Sequence, residues 1–251
     1  MRHKMVLVKN VSRLSEAGHA LLARAPGMPG MGLIHGETGY GKTTAVTWYV
    51  NQCHGVYVRA ISMWSPSAML QAILRELDEA PRASSCANMV GQIVQSLALS
   101  GRPLFLDEAD YIVEEKRMVE TLRDLHDLAS VPVVLIGMAG VHRKIAARQQ
   151  LSGRIARWVE FKPCDLDDAG SLARDLCEVE VAPDLVERLH QAAAGSVRLM
   201  VVGLAGIEAE ARARGLRRIE NKDWTKHRDF FFGEAPRKGR RQPAASTGET
   251  Q

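Results

Sequence analysis

Cysteine is scarce in this chain: four in 251 residues, at Cys53, Cys86, Cys164 and Cys177, with no C-x-x-C pair among them. Such spacing argues against a disulfide framework and a zinc knuckle, and leaves the four as reduced core residues. Long hydrophobic runs are missing too. No stretch approaches the ~18–20 apolar residues a spanning helix requires, and no secretory leader is evident, so a soluble, cytoplasmic protein without a membrane partner is expected. Nor does either sign of charge dominate. The 33 basic and 29 acidic residues leave a net +4, and Arg237, Lys238, Arg240 and Arg241 near the C-terminus equal that whole excess. A nucleic-acid surface on the body must therefore be a local patch, because there is no global positive field to draw a polyanion in.

What is present is the material for a core, with 46% hydrophobic and 25% charged residues, and one strong local pattern. In "GLIHGETGYGKTTAVTWYV" (residues 32–50), Gly36, Gly41, Lys42 and Thr43 fit G-x-x-x-x-G-K-[ST], with an apolar strand before and a helix after. Glycines let such a loop curl until successive backbone N–H groups, with the positive end of the helix dipole, face inward and hold phosphates. Gly36, Glu37, Thr38, Gly39, Tyr40, Gly41, Lys42, Thr43 and Thr44 are therefore the expected nucleotide contacts. Lys42 would reach the β- and γ-phosphates, and the Thr43 hydroxyl would ligate Mg²⁺.

From residue 31 onward the pattern alternates. Strands are expected at 31–35, 55–60, from 103, at 131–137 and at 156–161. Helices are expected from Thr43, at 66–78, 86–99, 114–128 and 140–149. Continuously apolar strands between helices predict an α/β fold, a parallel sheet covered on both faces. After "FKPCDLDD" the reading changes to helices at 166–180, 183–194, 197–214 and 221–228 with no strand between them. The expected division is an N-terminal linker and helix (1–30), a P-loop ATPase domain (31–164), a helical lid (165–230) and a disordered basic tail (231–251).

A second element is "PLFLDEAD" (103–110), an apolar strand ending in adjacent carboxylates. Burying a carboxylate is costly unless it is paired or bound to a cation. At the carboxyl end of a strand neighbouring the P-loop strand, Asp107 would join the Mg²⁺ shell, and Glu108 would orient or deprotonate an attacking water. Together the two motifs predict ATP hydrolysis with ATP and Mg²⁺ bound.

"GETGYGKT", "LFLDEAD", "SGRIARWVEF" and "GSVR" in this order resemble an AAA+ ATPase over roughly residues 5–228. Within that class "GVYVRA" followed by "SPSAMLQAIL" looks most like the transposition-regulator ATPases of the Mu B, TniB and TnsC type. The resemblance implies a P-loop sheet domain with a helical lid, in a bacterial or phage-infected cell. It also implies a homo-oligomer, filament or ring, that binds double-stranded DNA without sequence preference and recruits or activates a transposase. It carries a lid arginine (sensor 2) onto Arg198, and an arginine finger for the neighbouring subunit onto Arg154, with Arg148 and Arg157 competing. Where the family places a polar sensor-1 residue, this chain has Gly137 and Met138. Slow hydrolysis would suit that departure.

DNA contact in such an assembly is to backbone phosphates and needs only a few cations per subunit. Arg59 and Trp64 in "RAISMWSPS", and Lys116 and Arg117 in "EEKRM", are the candidates. Core packing for Trp64 and pairing with Glu120 for the two cations are the structural alternatives. Alternative functional readings are an ExeA-like secretion ATPase and an initiator or helicase loader.

Overall fold

The structure, a computed structural model, describes residues 1–25, 27–224 and 229–231. Five parallel strands form its main sheet: β1 (Met31–Gly36), β2 (Val56–Arg59), β3 (Leu104–Asp107), β4 (Val133–Gly137) and β5 (Ile155–Phe161), in the order β2-β3-β4-β1-β5. Every residue of β1, β3 and β4 is buried, as continuously apolar strands require when helices cover both faces. The edge strands β2 and β5 carry the exposed residues.

Alternation along each strand divides the core in two. Ile34, Val134, Ile136, Phe105 and Val159 face α1 (Lys9–Leu22) and α2 (Lys42–Cys53). Leu33, Leu135, Leu106 and Val58 face α3 (Pro66–Glu76), α4 (Cys86–Ser100), α5 (Lys116–Ala129) and the short α6 (Val141–Ala146) and α7 (Gln149–Ser152). Each such side chain, fully buried, contributes about 1.5–3 kcal/mol relative to exposure. Local signals fix the helix starts: Ser65 accepts from the Ala68 amide (3.2 Å) ahead of Pro66, and Ser85 from the Asn88 amide (3.2 Å).

One expectation is corrected by the sheet order. β3 does not neighbour the P-loop strand, because β4 lies between them. The chain places β2, β3 and β4 on one side of β1 and β5 on the other, which opens a crevice at the carboxyl ends of the strands.

Beyond β5 come α8 (Leu166–Leu176), α9 (Pro183–Ala193) and α10 (Val197–Ala213), capped by Asp165, by Pro183 at the first turn and by Ser196. Here the strand-free reading is also corrected. β6 (Glu180–Val181) and β7 (Arg218–Ile219) pair in parallel as a second small sheet. α8 accordingly ends at Leu176, where Cys177 turns extended to enter β6, rather than running on to 180. Asn221–Asp223 form a turn instead of starting a helix. The remainder of that expected helix and the Arg237–Arg241 cluster lie outside the described residues.

The N-terminal segment binds the lid. The Arg2 amide donates to Leu176 O (2.7 Å), Lys4 pairs with Asp175 (2.7 Å), and the Lys9 amide donates to Asp168 (2.9 Å). Asn10, 3% exposed, bonds both the carbonyl and the amide of Lys162 at the hinge between sheet and lid (2.8 and 3.0 Å). Among the described residues no helix is long and apolar enough to cross a membrane.

Candidate functional site

The loop from Gly36 to Lys42 leaves β1 and enters α2 at the crevice. Gly39 (φ +92°) and Gly41 (φ +85°) take the left-handed backbone that glycine adopts without steric cost. At Gly36 the restriction is contact, since a Cβ there would lie 2.6 Å from Phe161 O. Lys42 folds back over its own loop, its ammonium donating to Gly36 O (2.5 Å) and Glu37 O (2.9 Å). Burial pushes its pKa down, opposed chiefly by the charge of Asp107.

Asp107 ends β3 and is 3% exposed. Its Oδ2 accepts from the Thr43 hydroxyl (3.0 Å) and the Tyr57 hydroxyl (2.7 Å), and its Oδ1 from the Glu108 amide (2.8 Å). Among the described residues it makes no ion pair, so its donors are all neutral. A buried carboxylate next to a hydroxyl and a phosphate cradle is a hard-oxygen set that fits Mg²⁺, which takes only one or two protein ligands when phosphates supply others. The residues present therefore suit both ATP and Mg²⁺.

Glu108 holds a left-handed backbone (φ +56°), unusual for a residue with a side chain, and its carboxylate pairs with Arg59 (3.0 Å). The adjacent strand end explains the departure at Gly137. Asp110 reaches over from the β3 loop, its Oδ2 accepts from the Met138 amide (2.7 Å), and a Cβ at Gly137 would lie 2.8 Å from that oxygen. The polar group at the end of β4 is thus Asp110.

From the lid, the Arg198 amide donates to Gly39 O (3.0 Å), and Ser196 Oγ lies 3.5 Å from the same carbonyl. The first turn of α10 is seated on the phosphate loop, with the Arg198 side chain exposed beside it. Sequence reasoning thus led to Lys42, Thr43, Asp107, Glu108 and Arg198, which the fold brings to one crevice. It missed Tyr57, which carries no motif, and gave Asp110 no role although it completes "DEAD". It also missed His35, which stacks on His142 at 4.7 Å between centroids and has its pKa lowered by burial.

The remaining candidates, apart from Arg59 beside Glu108, are not bonded to these groups. Arg154 stands at the amino end of the sheet, where its carbonyl accepts from the Met31 amide, and its guanidinium grips Asp127 of α5 (2.6–2.8 Å). That pair holds the Asp127 carboxyl below its ordinary pKa. Arg148 donates to Val113 O (2.6 Å), and Arg157 is exposed on β5. Of the DNA candidates, Arg59 is engaged by Glu108, Trp64 is half-buried against the second core, and Lys116 pairs with Glu120 (3.6 Å). Arg117 is exposed at the start of α5.

Residues 27–145 match the family model described as an AAA domain. No curated protein matches the chain in sequence. Among the solved structures that resemble it in fold are the following three. The Aeropyrum pernix ORC1 protein in complex with DNA is 19% identical (TM-score 0.60, covering 87% of this chain and 64% of that one). Cdc6p from Pyrobaculum aerophilum is 17% identical (TM-score 0.64, 86% and 64%). The Aeropyrum pernix ORC2 protein, in ADPNP-ADP complexes, is 16% identical (TM-score 0.63, 89% and 68%). The chain spans 64% of the length of the first two. The architecture is the α/β AAA+ fold, and the chain carries an AAA-type P-loop domain.

Proposed function

We propose that this chain is an ATP-hydrolysing switch that acts on double-stranded DNA as an oligomer, closer in kind to initiators and helicase loaders than to transposition regulators. One observation carries the ATPase reading: Lys42, Thr43, Asp107, Glu108 and the start of α10 converge on one crevice from three separate parts of the fold, α2, the end of β3 and α10. Bound Mg²⁺ would supply charge neutralisation at the phosphates, held by Thr43 and Asp107. The chain's own steps follow from the bonds in place. Lys42 exchanges Gly36 O and Glu37 O for phosphate oxygens, and Glu108 leaves Arg59 to take a proton from water. Arg198, exposed beside Gly39, would be the lid group that answers the γ-phosphate.

The likeness to a DNA-bound ORC1 protein and to Cdc6p supports duplex DNA as partner and the initiator class as the reading. The transposition reading, with a transposase as partner, has the sequence resemblance alone. Arg59, Lys116, Arg117 and Trp64 remain the proposed DNA contacts, and one of Arg148, Arg154 and Arg157 the trans arginine.

The test is duplex binding and ATP turnover with no nucleotide, ADP, ATP and a slowly hydrolysed analogue, for wild type, Lys42→Ala and Glu108→Gln. Wild type should bind DNA of any sequence only in the triphosphate state. Lys42→Ala should lose ATP binding, and Glu108→Gln should keep it while losing at least 100-fold in turnover, the lower end for removing a general base. Lys42→Ala that still binds ATP would sink the P-loop assignment, and DNA binding indifferent to nucleotide would sink the switch. Stimulation of strand transfer by a partner transposase would restore the transposition reading.

A further inference from the structure

We infer that Tyr57 is a positioning residue for the metal site, its hydroxyl holding the Asp107 carboxylate in the orientation that Mg²⁺ requires; the inference rests on the ATPase reading above. Tyr57 lies on β2, which pairs with β3 so that Tyr57 stands opposite Phe105 and Arg59 opposite Asp107. Tyr57 and Arg59 are two residues apart and so share one face of the strand with the Asp107 side chain. The ring is half-buried against the core, and the hydroxyl extends up the sheet to Asp107 Oδ2 at 2.7 Å.

Three donors from three elements therefore fix the carboxylate: Tyr57 from β2, Thr43 from α2, and the Glu108 amide beyond β3. Thr43 donates to the same oxygen as Tyr57. A Thr43 hydroxyl that offered a lone pair to a cation would keep its proton on the same oxygen, so Thr43 and Tyr57 hold Oδ2 together from two different elements. Mg²⁺ demands near-ideal octahedral geometry, so a carboxylate free to swing is a poorer ligand than one held still. Outer-shell hydrogen bonds to metal ligands typically account for about 10–100-fold in metal affinity or activity.

The experiment is Tyr57→Phe, which removes the O–H and leaves the ring in its packing. A fluorescent ATP analogue is titrated onto the full chain in EDTA, and Mg²⁺ is then titrated at fixed nucleotide. Nucleotide affinity in EDTA should stay within about twofold of wild type, while the Mg²⁺ concentration at half-saturation rises roughly tenfold. An unchanged Mg²⁺ half-saturation overturns the inference, and so does an equal loss of affinity with and without Mg²⁺, which would make Tyr57 a packing residue only. Wild type that binds no nucleotide under either condition would overturn the ATPase reading itself, and this inference with it.

Discussion

Gly39→Ala tests whether the lid is seated on the phosphate loop. The new methyl meets two obstacles. At φ +92° an L-residue pays a backbone cost of about 1–2 kcal/mol. The Cβ would also stand 2.6 Å from Ser196 Oγ, a separation no side chain tolerates, so the serine hydroxyl must rotate away. That hydroxyl caps α10 by accepting from the Leu199 amide (3.3 Å), and losing such a cap costs about 1 kcal/mol. The sum is a destabilisation of about 2–3 kcal/mol. Ser196→Ala removes cap and obstacle together, so in that background Gly39→Ala should cost only its backbone share. The coupling between the two substitutions should therefore be about 1 kcal/mol, readable from urea unfolding of the four proteins in a double-mutant cycle. A coupling indistinguishable from zero would mean that α10 does not rest on Gly39 in solution, and would remove the structural basis for placing Arg198 at the nucleotide.

Two other substitutions separate structure from chemistry. Tyr49 has a hydroxyl that is buried without a hydrogen-bond partner among the described residues, and burial pushes its pKa up to about 12; Tyr49→Phe should leave the urea midpoint unchanged or raise stability by about 1 kcal/mol. A clear loss would reveal a partner such as buried water. Arg154→Ala breaks the pair with Asp127, which is about one-third exposed on both sides, and should cost about 0.5–1 kcal/mol at pH 7. Because the folded pKa of Asp127 is depressed, the pair's contribution is present above the ordinary carboxylate range and is lost as pH falls through the folded value; the gap to wild type should close below about pH 4. If Arg154 also serves as the trans arginine, turnover of the assembled protein should fall at least ~1,000-fold, and full turnover would pass that role to Arg148 or Arg157.

The sequence was most legible where a single segment carries its own reason. "MGLIHG", "LFLD" and "VVLIG" are apolar throughout because helices cover both faces of the sheet, and the P-loop glycines sit where left-handed backbone or close approach demands them. Strand order was not legible, because which strand lies beside β1 depends on the packing of whole crossovers, and β4 took the place assigned to β3. β6 and β7 escaped notice for a similar reason. Glu180–Val181 and Arg218–Ile219 are too short and too charged to signal a strand, and they form one only by finding each other across the lid. Tyr57 and Asp110 belong to the same class, since a tyrosine in a strand and the last letter of "DEAD" acquire their roles from the oxygen or amide that the fold brings to them.

The bonds at the crevice also say what kind of machine fits. Lys42 rests on two loop carbonyls, Thr43 on Asp107, and Glu108 on Arg59, so these three groups, proposed to touch ATP, metal and water, already have partners within the protein. None of these bonds is a deep ion pair, because Arg59 is 60% and Glu108 32% exposed at the side chain. Exchanging them for nucleotide contacts is therefore a modest rearrangement, small enough for ligand binding to drive. The exchange of Glu108 is special, because its partner Arg59, largely exposed, is itself a candidate DNA contact. A phosphate approaching Arg59 would compete with the Glu108 carboxylate for the same guanidinium, whereas nothing comparable reaches Lys42 or Thr43. On the proposed reading, ATP binding and ATP hydrolysis would be gated by different bonds, with only the second exposed to a polyanion. That asymmetry would suit the proposed switch, holding ATP until it meets DNA, better than a continuously cycling motor.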